Sequence, residues 1–91
     1  MAKHLVIPIS KRSKEYGYLI WPARLDDQII SVLGKQENVR LYFDGSDRGD
    51  KNVDWKNRRI SIGYKWTKSI PDDITEFHVH TAGSKLYISC Q

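Results

Sequence analysis

The chain has 91 residues, of which 40% are hydrophobic and 11% aromatic, a composition typical of a folded domain and not of a disordered chain. Because Cys90 is the one cysteine, an internal disulfide is excluded, and no segment reaches the roughly 18 apolar residues of a membrane span. These features predict one domain over residues 1–91 in a reducing, cytoplasmic setting. They exclude a disulfide-stabilised secreted scaffold and a helical membrane protein.

The net charge of +4 is unevenly distributed along the chain. Residues 1–18 hold four basic residues and one acidic residue, and residues 51–68 hold six basic residues and one acidic residue. Residues 19–50 and 69–91 are each net negative. Two concentrated basic segments are typical of a protein that binds nucleic acid or an acidic partner.

The first third of the chain predicts two strands separated by a loop. Residues 5–9 are short and β-branched, and Pro8 favours an edge position or a bulge. Residues 10–15 are polar and charged, which indicates a loop or a hairpin tip. Residues 16–21 are aromatic and β-branched, which predicts the second strand.

A helix of about 12 residues is predicted from Pro22 to Gly34. Pro22 suits the first helical turn, where its missing N–H is not needed, and Gly34 suits the position just after a helix. Four apolar residues between them recur at helical spacing: Leu25, Ile29, Val32 and Leu33.

The remaining residues predict four more strands. Apolar and polar residues alternate in residues 39–43, 59–64 and 75–90, and the last of these ranges has the length and central turn of a β-hairpin. Residues 44–52 contain almost no apolar side chain and predict a long loop.

The predicted order is therefore β-β-α-β-β-β-β. It describes a small β-rich α+β domain with one short helix and a barrel-like antiparallel sheet. Residues 5–64 would form its core, and residues 65–91 would form a C-terminal β-hairpin extension.

Several residues between positions 17 and 62 recur in a known pattern. They are Gly17, Leu19, Ile20 and Pro22, then Leu25, Leu33 and Gly34, then Val39, Leu41, Ile60 and Ile62. With residues 5–9 as a first strand, this segment resembles the swapped-hairpin AbrB/MazE/SpoVT family. It departs from the family at Trp21, in a helix about one turn longer, and in a longer loop over residues 44–58.

The resemblance implies an interleaved homodimer that binds DNA as a transcriptional regulator or an antitoxin-like protein. Position by position, it assigns DNA contacts to four basic residues: Lys11, Arg12, Lys14 and Arg24. Such residues bind phosphate, and an arginine can also make paired hydrogen bonds to guanine. A solubilising loop tip is the alternative interpretation of residues 11–14.

The second basic segment mixes cations with aromatic residues. Its cations include Lys56, Arg58 and Arg59, and its aromatic residues are Trp55, Tyr64 and Trp66. This mixture suits an RNA or single-strand binder that stacks bases on aromatic rings. It equally suits a sheet face on which tryptophan packs and lysine extends into water.

A second alternative is a non-enzymatic protein-binding inhibitor or accessory factor of the mobile-element or phage type. Its interface would contain Trp55, Tyr64, Trp66 and the acidic loop over residues 44–52.

No motif predicts an enzyme, a cofactor or a metal site. His78 and His80 share one face of a strand and His4 could join them, but no cysteine pair or carboxylate–histidine motif completes a zinc set. An EF-hand loop beginning at Asp44 fails because Arg48 and Trp55 occupy ligand positions.

Overall fold

The computed structural model describes residues 4–90 of the chain. Seven strands form one curled, half-barrel sheet, which a few short helices accompany. The strands are β1 (His4–Pro8), β2 (Tyr18–Ile20), β3 (Asn38–Phe43), β4 (Ser46–Asp54), β5 (Arg59–Ser61), β6 (Glu76–Ala82) and β7 (Lys85–Cys90). The helices are α1 (Lys11–Tyr16), α2 (Asp26–Leu33) and α3 (Tyr64–Thr67), and a 3-10 turn, Ala23–Leu25, precedes α2.

The sheet order is β1-β6-β7-β3-β4-β5-β2. Neighbouring strands are antiparallel except β3 and β7, which are parallel, so the predicted all-antiparallel sheet is wrong at this one pair. The β6–β7 hairpin therefore lies inside the sheet, between β1 and β3. β1 and β2 form the two edges.

The hydrophobic core lies between the sheet and α2. Alternate strand residues such as Leu41, Phe77 and Leu86 are fully buried, and α2 contributes Ile29 and Leu33. α2 packs against β1 and β6. Because burying each large apolar side chain stabilises the fold by about 1.5–3 kcal/mol, this layer supplies most of the driving force for folding.

The β-rich α+β class is confirmed, as are strands near residues 5–9 and 39–43 and the hairpin over residues 75–90. The predicted helix starting at Pro22 is instead a 3-10 turn followed by the eight-residue α2. The backbone N–H of Leu25 donates to the carbonyl oxygen of Pro22 at 2.9 Å, which tightens the first turn.

The loop predicted over residues 10–15 is wrong, because this segment forms α1. The hydroxyl oxygen of Ser10 accepts a hydrogen bond from the backbone N–H of Ser13 at 3.1 Å, which caps the start of the helix. Gly17 closes the helix in the left-handed conformation, at φ 77°. The two caps stabilise a helix that has little apolar surface of its own.

The long loop predicted over residues 44–52 is also wrong, because β4 occupies most of it. Asp44 and Gly45 have φ values of 47° and 85°, as a tight hairpin turn requires. β4 then pairs with β3 along nearly its whole length. Val53 is the one buried side chain of β4, so the strand carries almost no apolar pattern.

The strand predicted over residues 59–64 ends at Ser61, and Tyr64 begins α3. Gly63 turns the chain with φ 123°. The predicted order, with one helix and six strands, is therefore replaced by β-α-β-α-β-β-β-α-β-β within the described residues. Among residues 4–90, no helix is long and apolar enough to cross a membrane.

Candidate functional site

α1 and α3 pack against each other at one corner of the sheet. The carbonyl oxygen of Gly17 accepts a hydrogen bond from the backbone N–H of Gly63 at 2.9 Å. A Cβ at Gly17 would lie 2.6 Å from the carbonyl carbon of Gly63 and would collide with the backbone nitrogen of Tyr64. The buried hydroxyl of Thr67 donates to the carbonyl oxygen of Lys14 at 3.0 Å. These contacts fix the two helices as one unit.

The net positive charge of the protein lies on this helix pair. Residues 11–16 and 64–68 hold five of the 15 basic residues and one of the 11 acidic residues. The rest of the chain therefore has no net charge, with ten basic and ten acidic residues. Glu15 of α1 is exposed as well, and we call the exposed basic and aromatic residues of the pair the α1–α3 surface: Lys11, Arg12, Tyr16, Tyr64, Lys65, Trp66 and Lys68.

Most cations of the α1–α3 surface are available to a ligand. Within residues 4–90, Arg12 and Lys65 form no ion pair. Lys11 lies 3.8 Å from Glu15, but its side chain is 88% exposed, so the pair holds it weakly. Lys14, next to this surface, is less free because its ammonium group contacts Asp72 at 3.3 Å.

The aromatic residues of the α1–α3 surface are unusually exposed for their size. Tyr16 is 60% exposed, Tyr64 53% and Trp66 37%. Cations accompany two of the rings, since the guanidinium carbon of Arg48 lies 4.6 Å from the Trp66 ring centre and the ammonium nitrogen of Lys68 lies 5.2 Å from that of Tyr64. Exposed rings beside cations are suited to stacking on a base while neutralising its phosphate.

A β-bulge directs Arg48 towards Trp66. Leu41 pairs with Gly49 and Tyr42 pairs with Asp47, so Arg48 is the extra residue of β4. The Nε–H of Arg48 donates to the carbonyl oxygen of Ile62 at 3.3 Å. Because of the bulge, the Arg48 guanidinium covers one face of the Trp66 indole in the free protein.

The residues predicted to bind nucleic acid fall into two groups, one at each end of β2. Lys11, Arg12 and Lys14 belong to α1, which precedes β2. Arg24 and Lys56 are exposed at the other end, near Arg58. The two groups therefore lie on segments that β2 separates along the chain.

Arg58 stabilises the fold at the far end of β2. Its Nε–H donates to both carboxylate oxygens of Asp26, at 3.0 and 3.1 Å, and the Nε1–H of Trp21 donates to Oδ1 at 2.9 Å. The hydrogen bond from Arg58 is the main reason that the pKa of Asp26 is lowered. Arg58 is thereby engaged within the protein.

Arg59 and Trp55 are also held by internal contacts. Arg59 approaches Asp54 at 3.4 Å and lies 4.6 Å above the ring centre of Tyr18. The Nε1–H of Trp55 donates to the carbonyl oxygen of Gln36 at 2.9 Å. Trp55 is thus engaged within the protein, whereas the predicted protein interface places it with Tyr64 and Trp66.

The acidic residues of the β3–β4 hairpin are largely paired with Arg40. Its guanidinium contacts Asp47 at 2.5 Å and Asp50 at 3.9 Å. Hydrogen bonding from Arg40 is the main cause of the lowered pKa of Asp47. Residues 44–52 therefore do not form an acidic loop. They lie mostly in the sheet, where Arg40 neutralises part of their negative charge.

The histidines lie on the outer face of the sheet. Nε2 of His4 and Nδ1 of His78 are 3.1 Å apart, and the rings of His80, Tyr87 and Tyr42 stack in a row across β6, β7 and β3. Within residues 4–90, no group of three or more histidine, cysteine or acidic residues could hold a metal ion. The stacked row depends on the parallel β3–β7 pairing, and no local sequence pattern predicts that pairing.

Sequence reasoning missed two residues that belong to the site or support it, Tyr16 and Arg48. Lys65 and Lys68 lie in the basic run over residues 51–68, and their position beside α1 follows only from the fold. Tyr16 begins an aromatic, β-branched run that predicts a strand, but in the structure it ends α1.

Comparisons with protein-family models, with curated proteins and with solved structures gave no significant match. The likeness to the swapped-hairpin family therefore stays a prediction. The geometry itself offers one positively charged corner with exposed rings, and this corner is the best basis for a function.

Proposed function

We propose that this protein binds nucleic acid through the α1–α3 surface and acts as a small regulatory or accessory factor. The observation that carries the proposal is the placement of the net charge of +4 on this one helix pair, with a balanced charge elsewhere. Nucleic acid carries a phosphate at every nucleotide, and binding to such a corner releases its counterions. The concentrated charge would also orient an approaching polyanion towards the corner.

Unpaired strands are the favoured ligand because of the exposed rings. In a duplex, bases stack on one another and their faces are not accessible to a protein. In a single strand they can stack on residues such as Tyr16, Tyr64 and Trp66, and each such contact contributes about 1–3 kcal/mol. Single-stranded RNA or DNA therefore fits the surface better than its duplex form.

Duplex DNA is the second candidate. Arg24 and Lys56 add two exposed cations near the other end of β2. A second group of cations suits a duplex backbone, and it accords with the DNA-binding homodimer that the swapped-hairpin resemblance implies.

The test is a titration of the protein with single-stranded DNA, single-stranded RNA and duplex DNA at two salt concentrations. We expect single strands to bind more tightly than the duplex, and binding to weaken as salt rises. Three or four phosphate contacts would give a log–log salt slope of about −2 to −3 for a single strand.

A matched pair of double variants locates the site. Arg12→Gln with Lys65→Gln should weaken binding about tenfold and flatten the salt slope by about one to two. Lys35→Gln with Lys85→Gln removes the same charge from exposed positions elsewhere and should have a smaller effect.

If no nucleic acid binds at low salt, the proposal is overturned. The exposed rings would then be better explained as a binding surface for a protein partner. An equal loss in both double variants would mean that net charge, and not the α1–α3 surface, governs binding. A mass measurement in solution tests the homodimer separately, because an interleaved dimer has no stable single-chain form.

A further inference from the structure

A cavity of about 300 Å³ opens beside the α1–α3 surface. Trp66 belongs to both, so the cavity is directly adjacent to the cations of α3. Its other walls come from the β3–β4 turn, the segment after α3 and the end of β7, and include Phe43, Asp44, Ser69 and Cys90. The cavity is mostly apolar with a few polar groups, as small-molecule sites are.

The cavity is at the lower end of the size range of ligand sites. It can take one flat ring system but not a complete nucleotide cofactor. Trp66 offers an indole for stacking, and Arg48 already covers one face of that indole at 4.6 Å. A planar base entering the cavity would therefore meet a ring that is held in place.

Asp44 is the charged residue of the cavity lining. Its Oδ1 accepts a hydrogen bond from the backbone N–H of Cys90 at 3.1 Å. Its Oδ2 has no hydrogen-bond partner or ion pair within the described residues 4–90, and its Oδ1 keeps a second lone pair, so the carboxylate can accept two hydrogen bonds from a ligand. The carboxylate also repels phosphate, which favours an orientation with the base inside and the backbone outside, towards Lys65 and Lys68.

A carboxylate only accepts hydrogen bonds, so it favours the base that presents the most hydrogen-bond donors. Guanine presents two adjacent donors on its pairing edge, the ring N1–H and the exocyclic amino group. Adenine, cytosine and uracil present one donor there, beside an acceptor. A carboxylate that accepts both hydrogen bonds therefore favours guanine.

We infer that the cavity receives an unpaired guanine of a strand bound on the α1–α3 surface. The base stacks on Trp66, and Asp44 accepts hydrogen bonds from its N1–H and amino groups. This inference rests on the proposed function and adds a base preference to it.

The first test uses the unaltered protein and oligothymidylates of one length that differ at a single central position. A strand with guanine should bind about tenfold more tightly than strands with adenine or cytosine, as expected for a paired hydrogen-bond contact. Hypoxanthine lacks the amino group and should lose most of this advantage. Equal binding of all four strands would overturn the inference.

The second test is Asp44→Asn. Asparagine tolerates the positive φ of this turn and keeps an acceptor for the N–H of Cys90, so the hairpin should persist. We expect the preference for guanine to vanish while binding of a guanine-free strand stays the same or improves. Asp73→Asn, at an exposed position outside the cavity lining, removes the same charge and should leave the preference intact.

The outcomes separate the two proposals. A guanine preference that survives Asp44→Asn overturns the role of Asp44. Salt-dependent binding without any base preference overturns the inference but supports the α1–α3 surface. Absence of binding to every strand overturns both proposals, and the hypoxanthine comparison still decides the inference if the variant does not fold.

Discussion

Gly17 is the residue on which the candidate site most depends. It ends α1, begins the path into β2 and touches the backbone of Tyr64 at the start of α3. Its φ of 77° is unfavourable for other residues, and a Cβ would meet backbone that cannot move aside.

We expect Gly17→Ala to lower the free energy of unfolding by about 2–4 kcal/mol. Gly83→Ala is the matched control, because Gly83 has φ 63° but open space around its Cβ position. It should cost only about 1 kcal/mol, from the strained backbone alone. Urea unfolding measures both values, and equal losses would show that packing at Gly17 is unimportant.

Cys90 should be a poorly reactive thiol. Burial is the main cause that raises its pKa to about 11, and the nearby Asp44 carboxylate contributes to this shift. Because the thiolate is the nucleophile, alkylation of the folded protein near neutral pH should be about a hundredfold slower than that of the unfolded chain.

The measurement is the rate of reaction with iodoacetamide from pH 7 upwards. In the folded protein the rate should still rise steeply above pH 9, where that of the unfolded chain levels off. Asp44→Asn should accelerate the reaction by a smaller factor, since burial is the main cause of the shift. A plateau near pH 9 in the folded protein would contradict the expected shift.

At the level of elements, the sequence allowed prediction of those with a regular apolar pattern. β3 and the β6–β7 hairpin alternate cleanly, and both are present. α1 was missed because the run KRSKEY looks like a solvated loop, although Ser10 and Gly17 are typical helix caps. β4 was missed because it depends on pairing with β3, although the Asp44-Gly45 pair is a typical hairpin turn.

The candidate site was predictable only in part, for the same reason. Lys11 and Arg12 stand out from charge alone. Their meeting with Lys65 and Trp66 depends on the contact between α1 and α3, which sequence spacing does not reveal. The guanine cavity depends on the parallel β3–β7 pairing, which brings Asp44 next to Cys90.

The β6–β7 hairpin should be indispensable to the fold. It supplies a neighbour to both β1 and β3 and buries four large side chains: Phe77, Val79, Leu86 and Ile88. At about 1.5–3 kcal/mol each, their loss rivals the 5–15 kcal/mol by which a domain is usually stable.

A chain ending at residue 74 should therefore be unfolded by circular dichroism and show no cooperative melting. One extra glycine inserted after Gly83 is the control, because a longer surface turn costs little. A cooperative transition in the shortened chain would show that residues 75–90 are a dispensable addition.

The molecule as a whole combines a neutral body with one positive corner. It measures about 30 × 28 × 23 Å. Such an uneven distribution orients an anionic partner during its approach and is sensitive to salt. This layout, more than the modest total charge, is what sets the protein apart from an ordinary basic domain.

The strand order also has a consequence for how the chain folds. β1 pairs with β6, and β3 pairs with β7, so His4 meets His80 and Arg40 meets Lys85 across long stretches of chain. Contacts of this kind close large loops before they stabilise anything, and proteins rich in them fold in milliseconds to seconds. Until the hairpin docks, one side of β3 remains an open edge at which two folding chains could pair with each other.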